Sequence, residues 1–219
     1  MTTVLIQHIG LGDHIICNAI TRKFAAESER IIIPVRVENI QSVDFMFRDV
    51  LNYSSFPVDG WDSLKTEGEW FEDGGANVIW FGFNNPPFNP DIFDQEFYRQ
   101  AGMDIEEKWS GWKLTRDLTR EFTQTGKYIF VHDDPDREFN IDTDRVRKDL
   151  PIIRNTDRDT NNLFDLCSLI EGAEEVHCIN SCVMNLIEHL KPKGDLIWHF
   201  YARPETTIMK LNQPWRRLS

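Results

Sequence analysis

The sequence predicts an α/β protein built from two small Rossmann-like halves whose parallel sheets face a cleft. Three observations carry this expectation. The apolar run Val4-Leu5-Ile6 leads straight into Gln7-His8-Ile9-Gly10-Leu11-Gly12-Asp13-His14 and then a helical pattern, which is a strand–loop–helix unit. Short apolar runs then alternate with helix-like segments, and parallel strands need such crossovers. The same grammar restarts at Tyr128-Ile129-Phe130-Val131-His132. Residues 1–120 and 121–219 are therefore read as two domains, with the charged stretch Lys113–Gly126, ending in Thr-Gly, as the linker.

In the first half the expected strands are Val4–Gln7, Ile31–Arg36, a weak one near Phe56–Val58, and Asn77–Phe83. Helices are expected over His14–Ala26, Ile40–Val50, Asp62–Trp70 and Asp91–Ala101, the last stopped by Gly102. Pro86-Pro87-Phe88-Asn89-Pro90 excludes regular structure, because proline lacks an amide hydrogen and restricts the residue before it. It reads as a rigid surface connection or as a rim on the acceptor side. In the second half, strands are expected at Tyr128–His132, Pro151–Asn155, Glu175–Ile179 and Asp195–Tyr201. Helices are expected at Asn161–Leu169, where Leu163, Phe164, Leu166 and Leu169 share a stripe, at Ser181–Leu190, and near Glu205–Leu211.

The chain has 219 residues, 41% hydrophobic and 27% charged, enough to bury a sizeable core. Its net charge of −12 argues against a broad nucleic-acid interface, which needs a basic surface. No apolar run approaches the roughly 20 residues of a membrane span. The N-terminus shows no basic region followed by an apolar stretch and cleavage site, so no leader and a cytoplasmic location are expected. Cys17, Cys167, Cys178 and Cys182 form no C-x-x-C pair and no zinc-ligand spacing, so reduced, buried thiols are expected. Seven tryptophans are many for this length, but indoles serve cores, sugar platforms and interfaces alike.

The first loop carries the chemistry. Glycine lets a ligand approach the main chain, and a following helix start offers amide hydrogens and a positive dipole end. The spacing around Gly10 and Gly12 departs from the dinucleotide fingerprint, because Ile15 stands at its third glycine. Asp13 and His14 would stand at the mouth of this site as proton-moving groups. A turn that needs glycine and a helix capped by Asp13 also accounts for the pattern without chemistry.

His8-Ile9-Gly10-Leu11-Gly12-Asp13 with its apolar helix resembles the N-terminal loop of GT-B glycosyltransferases of the ADP-heptose:lipopolysaccharide heptosyltransferase type, family 9. Asp165-Leu166-Cys167-Ser168-Leu169-Ile170-Glu171-Gly172-Ala173 followed by Val176-His177-Cys178-Ile179-Asn180-Ser181 is similar to the donor-domain pattern of that group. Phe97-Tyr98-Arg99-Gln100-Ala101-Gly102 through Trp109, and Phe130-Val131-His132-Asp133-Asp134, look like related bacterial and phage proteins. The chain departs from the family in being shorter, in having Asn18-Ala19 near the place of a usual Pro-Ala, and in lacking the second-domain lysine loop. His132-Asp133-Asp134-Pro135-Asp136-Arg137 stands in place of that loop.

The resemblance implies sugar transfer from a nucleotide-sugar donor to a hydroxyl of a glycan or small molecule, with inversion and without a metal or other cofactor. It implies an acceptor-side first half and a donor-binding second half. Asp13 would be the base, with His14 or His8 in reserve. Gly10, Gly12, His132, Arg137, Asn180, Ser181 and Arg203 would bind the donor, with Asn180 or Ser181 also serving as a helix cap. The Asp133-Asp134-Asp136 loop can be read as a hard-cation site, but turn formation explains it adequately. Two other readings stay open: a non-catalytic nucleotide- or sugar-binding protein of the same fold, and another doubly wound enzyme such as an epimerase or hydrolase.

Overall fold

Parallel strands buried on both faces read as continuous apolar runs, and the runs found in the sequence are where the strands lie. The computed structural model describes residues 1–204 and 209–219. The chain divides into two units, Met1–Thr115 with residues 209–210, and Arg116–Ser219 without them.

The first unit runs β1 (Thr2–Ile6), α1 (Leu11–Ile16), α2 (Asn18–Ala26), β2 (Arg30–Arg36), α3 (Ile40–Phe47), β3 (Tyr53–Val58), α4 (Trp61–Asp73), β4 (Asn77–Trp80), α5 (Phe93–Gln100) and α6 (Glu107–Ser110). Its sheet has the order β3-β2-β1-β4, all parallel. β1 is central, and Val4, Leu5 and Ile6 are fully buried. Burying each such side chain contributes roughly 1.5–3 kcal/mol. Val4, Ile6, Ile9, Ile32, Val58, Leu64 and Phe71 form one core cluster that ties β1, β2 and β3 to α4.

The second unit runs β5 (Ile129–His132), β6 (Ile152–Arg154), α7 (Cys167–Glu171), β7 (Glu175–Cys178), α8 (Cys182–Ile187), β8 (Asp195–His199) and β9 (Arg216–Leu218). The sheet order is β6-β5-β7-β8-β9, again all parallel. Among the described residues no helix is long and apolar enough to cross a membrane.

Several elements differ from expectation for identifiable reasons. The helix expected over His14–Ala26 breaks at Cys17, which takes φ −84° and ψ 10°. The Ile16 carbonyl accepts the buried Tyr98 hydroxyl at 2.8 Å, and the Asn18 side chain bonds both backbone groups of Lys113. The first bond occupies a carbonyl that a continuous helix would pair internally, and the second pair pins the start of α2. The expected strand Asn77–Phe83 stops at Trp80 and gives way to a 3-10 turn over Gly82–Asn84. The helix expected from Asn161 starts as a 3-10 turn at Leu163, because Asn162 accepts the Phe164 amide as its cap.

Strand β9 carries no apolar run. It is an edge strand with exposed Arg216 and Arg217, and charge on an edge discourages pairing with other chains. Of the helix expected near Glu205–Leu211, residues 205–208 lie outside the described residues, and 209–211 are not helical. The stretch read as a linker is anchored. Arg116 pairs with Glu121 and Glu171, Arg120 pairs with Asp165, and the Phe122 amide donates to the Asp165 carbonyl.

Gly68 sits in the middle of α4, where glycine costs about 1 kcal/mol relative to alanine. A Cβ there would lie 2.5 Å from the Trp80 indole, so the glycine seats that ring against the helix. Gly68→Ala is therefore expected to destabilise the first unit by roughly 1–3 kcal/mol despite its better helix propensity. Denaturant unfolding measures this, and an unchanged or raised midpoint contradicts it.

Candidate functional site

In open parallel sheets, ligands bind beyond the carboxyl ends of the strands. In each unit that edge gathers the polar residues singled out by sequence. The units are taken in turn.

In the first unit, β1 delivers Gln7, His8 and Ile9, all buried, to α1. Gly10 holds the N-cap position, and Asp13, three residues on, caps the helix start from the first turn. The Gly10 amide donates to the Asp13 carboxylate at 3.2 Å. A Cβ on residue 10 would lie 2.7 Å from that same carboxylate oxygen. The space left by the missing side chain of Gly10 is thus filled by Asp13. Gly12 lies in the first turn of α1. Asp13 is half-buried, and burial pushes its pKa up to about 7 against the pull of the Gly10 amide.

His14 is not at the mouth of the site. It is fully buried, and its Nδ1 accepts the Gln7 amide hydrogen at 2.7 Å. Burial pushes its pKa down to about 3, so it stands neutral with its proton on Nε2. His8 is likewise committed. Its Nε2 accepts the Phe83 amide at 3.1 Å, and its ring stacks on Phe83 at 4.7 Å with Trp61 and Phe97 edge-on. Burial lowers its pKa to about 4. The proline-rich stretch contributes Phe88 to this aromatic packing. Of the three groups able to move a proton in this loop, Asp13 alone combines partial exposure with a pKa near neutrality.

In the second unit, β5 ends at His132, whose pKa burial lowers to about 4 against the pull of Asn155 and Asp133. The two carboxylates that follow are taken by arginines. Arg154 donates to Asp133 at 2.5 Å, and Arg137 donates through Nε to Asp134 at 2.6 Å. Burial opposes ionisation of Asp134, but Arg137 holds its pKa below the ordinary value. A metal-binding cluster of three or more such side chains is not formed among the described residues. Backbone bonds in both directions between Asp134 and Phe139 close the loop into a tight hairpin.

That hairpin brings the predicted cations together. Arg137 and Arg203 both lie over the Phe139 ring, at 5.6 and 5.0 Å from its centroid. Arg203 also donates to the Asn180 carbonyl at 2.7 Å. Ser181 caps α8 by accepting the Met184 amide. Arg137, Arg203, Asn180 and Ser181 thus share one end of the sheet, as their places after β5, β8 and β7 require. Phe139 and Arg154 were missed by sequence reasoning. Phe139 is visible only as an aromatic after a turn, and Arg154 pairs across 21 residues. Burial pushes all four cysteine thiols up, which fits structural rather than nucleophilic roles.

A buried chain of hydrogen bonds, also unforeseen, crosses this unit. His177 bonds Glu175 at 3.0 Å and His199 at 2.7 Å, and His199 bonds Tyr201 at 2.9 Å. His177 donates through Nε2 to Glu175, so its neutral Nδ1 accepts from His199 and the Nδ1 of His199 accepts from the Tyr201 hydroxyl, whose oxygen also accepts the Asp142 amide. One proton order then satisfies every member. Both histidines are neutral, their pKa values lowered chiefly by burial, His199 to about 4.

Five histidines, at positions 8, 14, 132, 177 and 199, are therefore held below the ordinary value of 6.5. The unfolded chain takes up protons below pH 6.5 that the folded one refuses. Their contribution to stability is complete above 6.5 and is lost as pH falls towards 4. Asp13 acts in the opposite sense, since its raised pKa favours the fold at low pH and that favour is lost as pH rises through 7. Five groups outweigh one, so the melting temperature is expected to fall steadily from pH 7 to pH 4.5 in salt that screens the net charge. A flat or rising profile over that range contradicts these assignments.

No protein-family profile matches the sequence, and no curated protein matches it. Solved structures do match the fold. The iron-containing dodecameric glycosyltransferase TibC from enterotoxigenic E. coli H10407 aligns over 99% of this chain and 62% of its own, with a TM-score of 0.59 and 13% identity. The chain therefore spans less than two thirds of TibC. A glycosyl transferase family 9 protein from Veillonella parvula DSM 2008 aligns over 99% and 86%, with a TM-score of 0.53 and 10% identity. E. coli heptosyltransferase WaaC, solved with ADP-2-deoxy-2-fluoro heptose, aligns over 100% and 93%, with a TM-score of 0.50 and 10% identity. At such identities the likeness is one of fold: this chain is an α/β protein of two parallel-sheet units, similar in structure to glycosyltransferases of family 9, as its loop motifs implied.

Proposed function

We propose that this chain is an inverting glycosyltransferase that moves a sugar from a nucleotide-sugar donor to a hydroxyl of a glycan or small-molecule acceptor. The observation that carries the reading is Asp13: a half-buried carboxyl raised to about 7, at the strand–helix junction of a glycosyltransferase-like fold. A carboxylate with that affinity for protons is a competent base near neutral pH. In the proposed reaction Asp13 takes the acceptor hydroxyl proton as that oxygen attacks the anomeric carbon. The bond from the anomeric carbon to the diphosphate breaks on the opposite face, and the configuration inverts. Gly12 keeps the backbone at the start of α1 uncovered for the substrates.

The leaving diphosphate gains negative charge, which Arg137 and Arg203 meet in place of a metal ion. Asn180 and Ser181 add polar groups beside them, and His132, held neutral, adds no competing charge. The aromatic ring of Phe139 fixes both guanidinium groups. Four free cysteines, three buried and Cys182 partly so, suit a reducing compartment, and we place the reaction in the cytoplasm. The second reading, a non-catalytic nucleotide- or sugar-binding protein, is favoured by one observation: Asp134 already neutralises Arg137. It requires binding without turnover.

The test pairs a thermal-shift panel of UDP, GDP, ADP, CMP and dTDP sugars with a transfer assay over simple acceptors. One nucleotide class is expected to raise the melting temperature by mass action, and Arg137→Ala to abolish that shift. Asp13→Asn is expected to keep the shift and lower kcat/KM about 10²–10⁴-fold. The wild-type rate is expected to climb with pH and level off above about 7, as the carboxyl ionises. Unimpaired transfer by Asp13→Asn removes the base, and binding without transfer favours the second reading.

A further inference from the structure

The first unit contains a groove that none of this chemistry uses. Its volume is about 500 Å³, and Trp61, Asp62, Glu69, Glu72, Trp80 and Asn84 line it. Leu64, fully buried, forms its floor. The indole of Trp80 comes up against α4 at Gly68 and donates to Glu72 at 3.2 Å. Trp61 is 47% exposed and meets the His8 ring edge-on. The groove is placed by topology. Trp61 follows β3 and Asn84 follows β4, so one end of the groove lies at the carboxyl edge of the sheet, as does the loop bearing Asp13, and Glu69 and Glu72 extend it along α4.

The charges in the groove are one-sided. Three carboxylates stand against the single ammonium of Lys65, a net of −2. Asp62 and Glu69 form no ion pair or side-chain hydrogen bond among the described residues, so their oxygens are open to a ligand. Indole faces pack on the C–H face of a sugar ring, and carboxylates accept hydrogen bonds from its hydroxyls. The same carboxylates repel an acidic sugar.

We propose that this groove binds a pyranose ring without acidic substituents, as part of the acceptor glycan. The assignment rests on the glycosyltransferase reading for the word acceptor, and on the groove alone for the sugar. It names a neutral acceptor class for this chain.

The test uses the full chain and direct binding, by tryptophan fluorescence and calorimetry. The probes are neutral oligosaccharides of glucose, galactose, mannose and N-acetylglucosamine, each matched with a hexuronate oligosaccharide of equal length. At least one neutral series is expected to bind and quench tryptophan emission, with the matched hexuronates at least about tenfold weaker. Trp61→Ala is expected to weaken binding roughly threefold to tenfold. Because Trp61 touches His8, the exposed change Glu69→Lys serves as the second variant, and it is expected to narrow or invert the preference against hexuronates. Equal binding of the two series, no binding of either, or wild-type behaviour in both variants overturns the groove. The two readings fail separately. Sugar binding lost in Trp61→Ala without transfer in any assay keeps the groove and removes the transferase. Transfer to a neutral acceptor with unchanged KM in Trp61→Ala keeps the transferase and removes the groove.

Discussion

Two parallel strands cannot be joined by a tight turn, and this constraint governs the whole chain. Each strand must leave its sheet, cross a face through a helix or turn, and re-enter at the starting edge. The crossovers cover both faces, so the strands need apolar residues on both sides, as in Val4-Leu5-Ile6 and Ile31-Ile32-Ile33. They also deliver every strand end to one edge. Gln7 to Asp13, Trp61 and Asn84 meet that edge in the first unit, and His132 to Arg137, Asn180 and Arg203 meet it in the second. The carbonyl ends of strands and the starts of helices are where backbone groups need partners, so polar side chains collect there for structural reasons before any chemistry is asked of them.

Electrostatics then sorts these polar residues by function. Burial drives histidines to their neutral form and carboxyls to their protonated form, unless a partner repays the lost hydration. His8, His14, His177 and His199 accept that outcome and act as neutral hydrogen-bonding parts of the fold. Asp134 escapes it through Arg137, while Asp133 accepts a hydrogen bond from Arg154. Asp13 does neither fully. It has one backbone donor, no arginine, and partial exposure, which leaves it near the point of ionisation at neutral pH. The buried Lys108–Asp94 pair shows the contrast in the same unit: the two groups lie 2.6 Å apart, sealed from water, and together fasten the Lys210 backbone.

Strands were legible because their signal is local: an apolar run of the right length says nearly all that matters. The strand–loop–helix unit around Gly10 and Asp13 was legible for a similar reason, since it is written in consecutive residues. Features set across long distances were not. The break at Cys17 depends on the Tyr98 hydroxyl, which bonds the Ile16 carbonyl across 82 residues, and the firm hold on the stretch after Lys113 depends on Glu171 and Asp165. His14 looked available because sequence cannot say which way the first turn of α1 faces. Strand β9 was invisible because an edge strand is selected for charge rather than apolar pattern. The sugar groove was hidden among seven tryptophans, and only Gly68, a glycine with no local reason to interrupt a helix, hinted that an indole lies against α4.

The central claim is that the fold holds the Asp13 carboxyl close to neutrality. Carbon-13 NMR of the aspartate side-chain carboxyls across pH, with the Asp13 resonance assigned by its loss in Asp13→Asn, tests it directly. The account predicts a titration midpoint near 7 for this one carboxyl. A midpoint in the ordinary carboxylate range, about 4, would contradict it and leave Asp13 as a helix-end residue with no special readiness to take a proton.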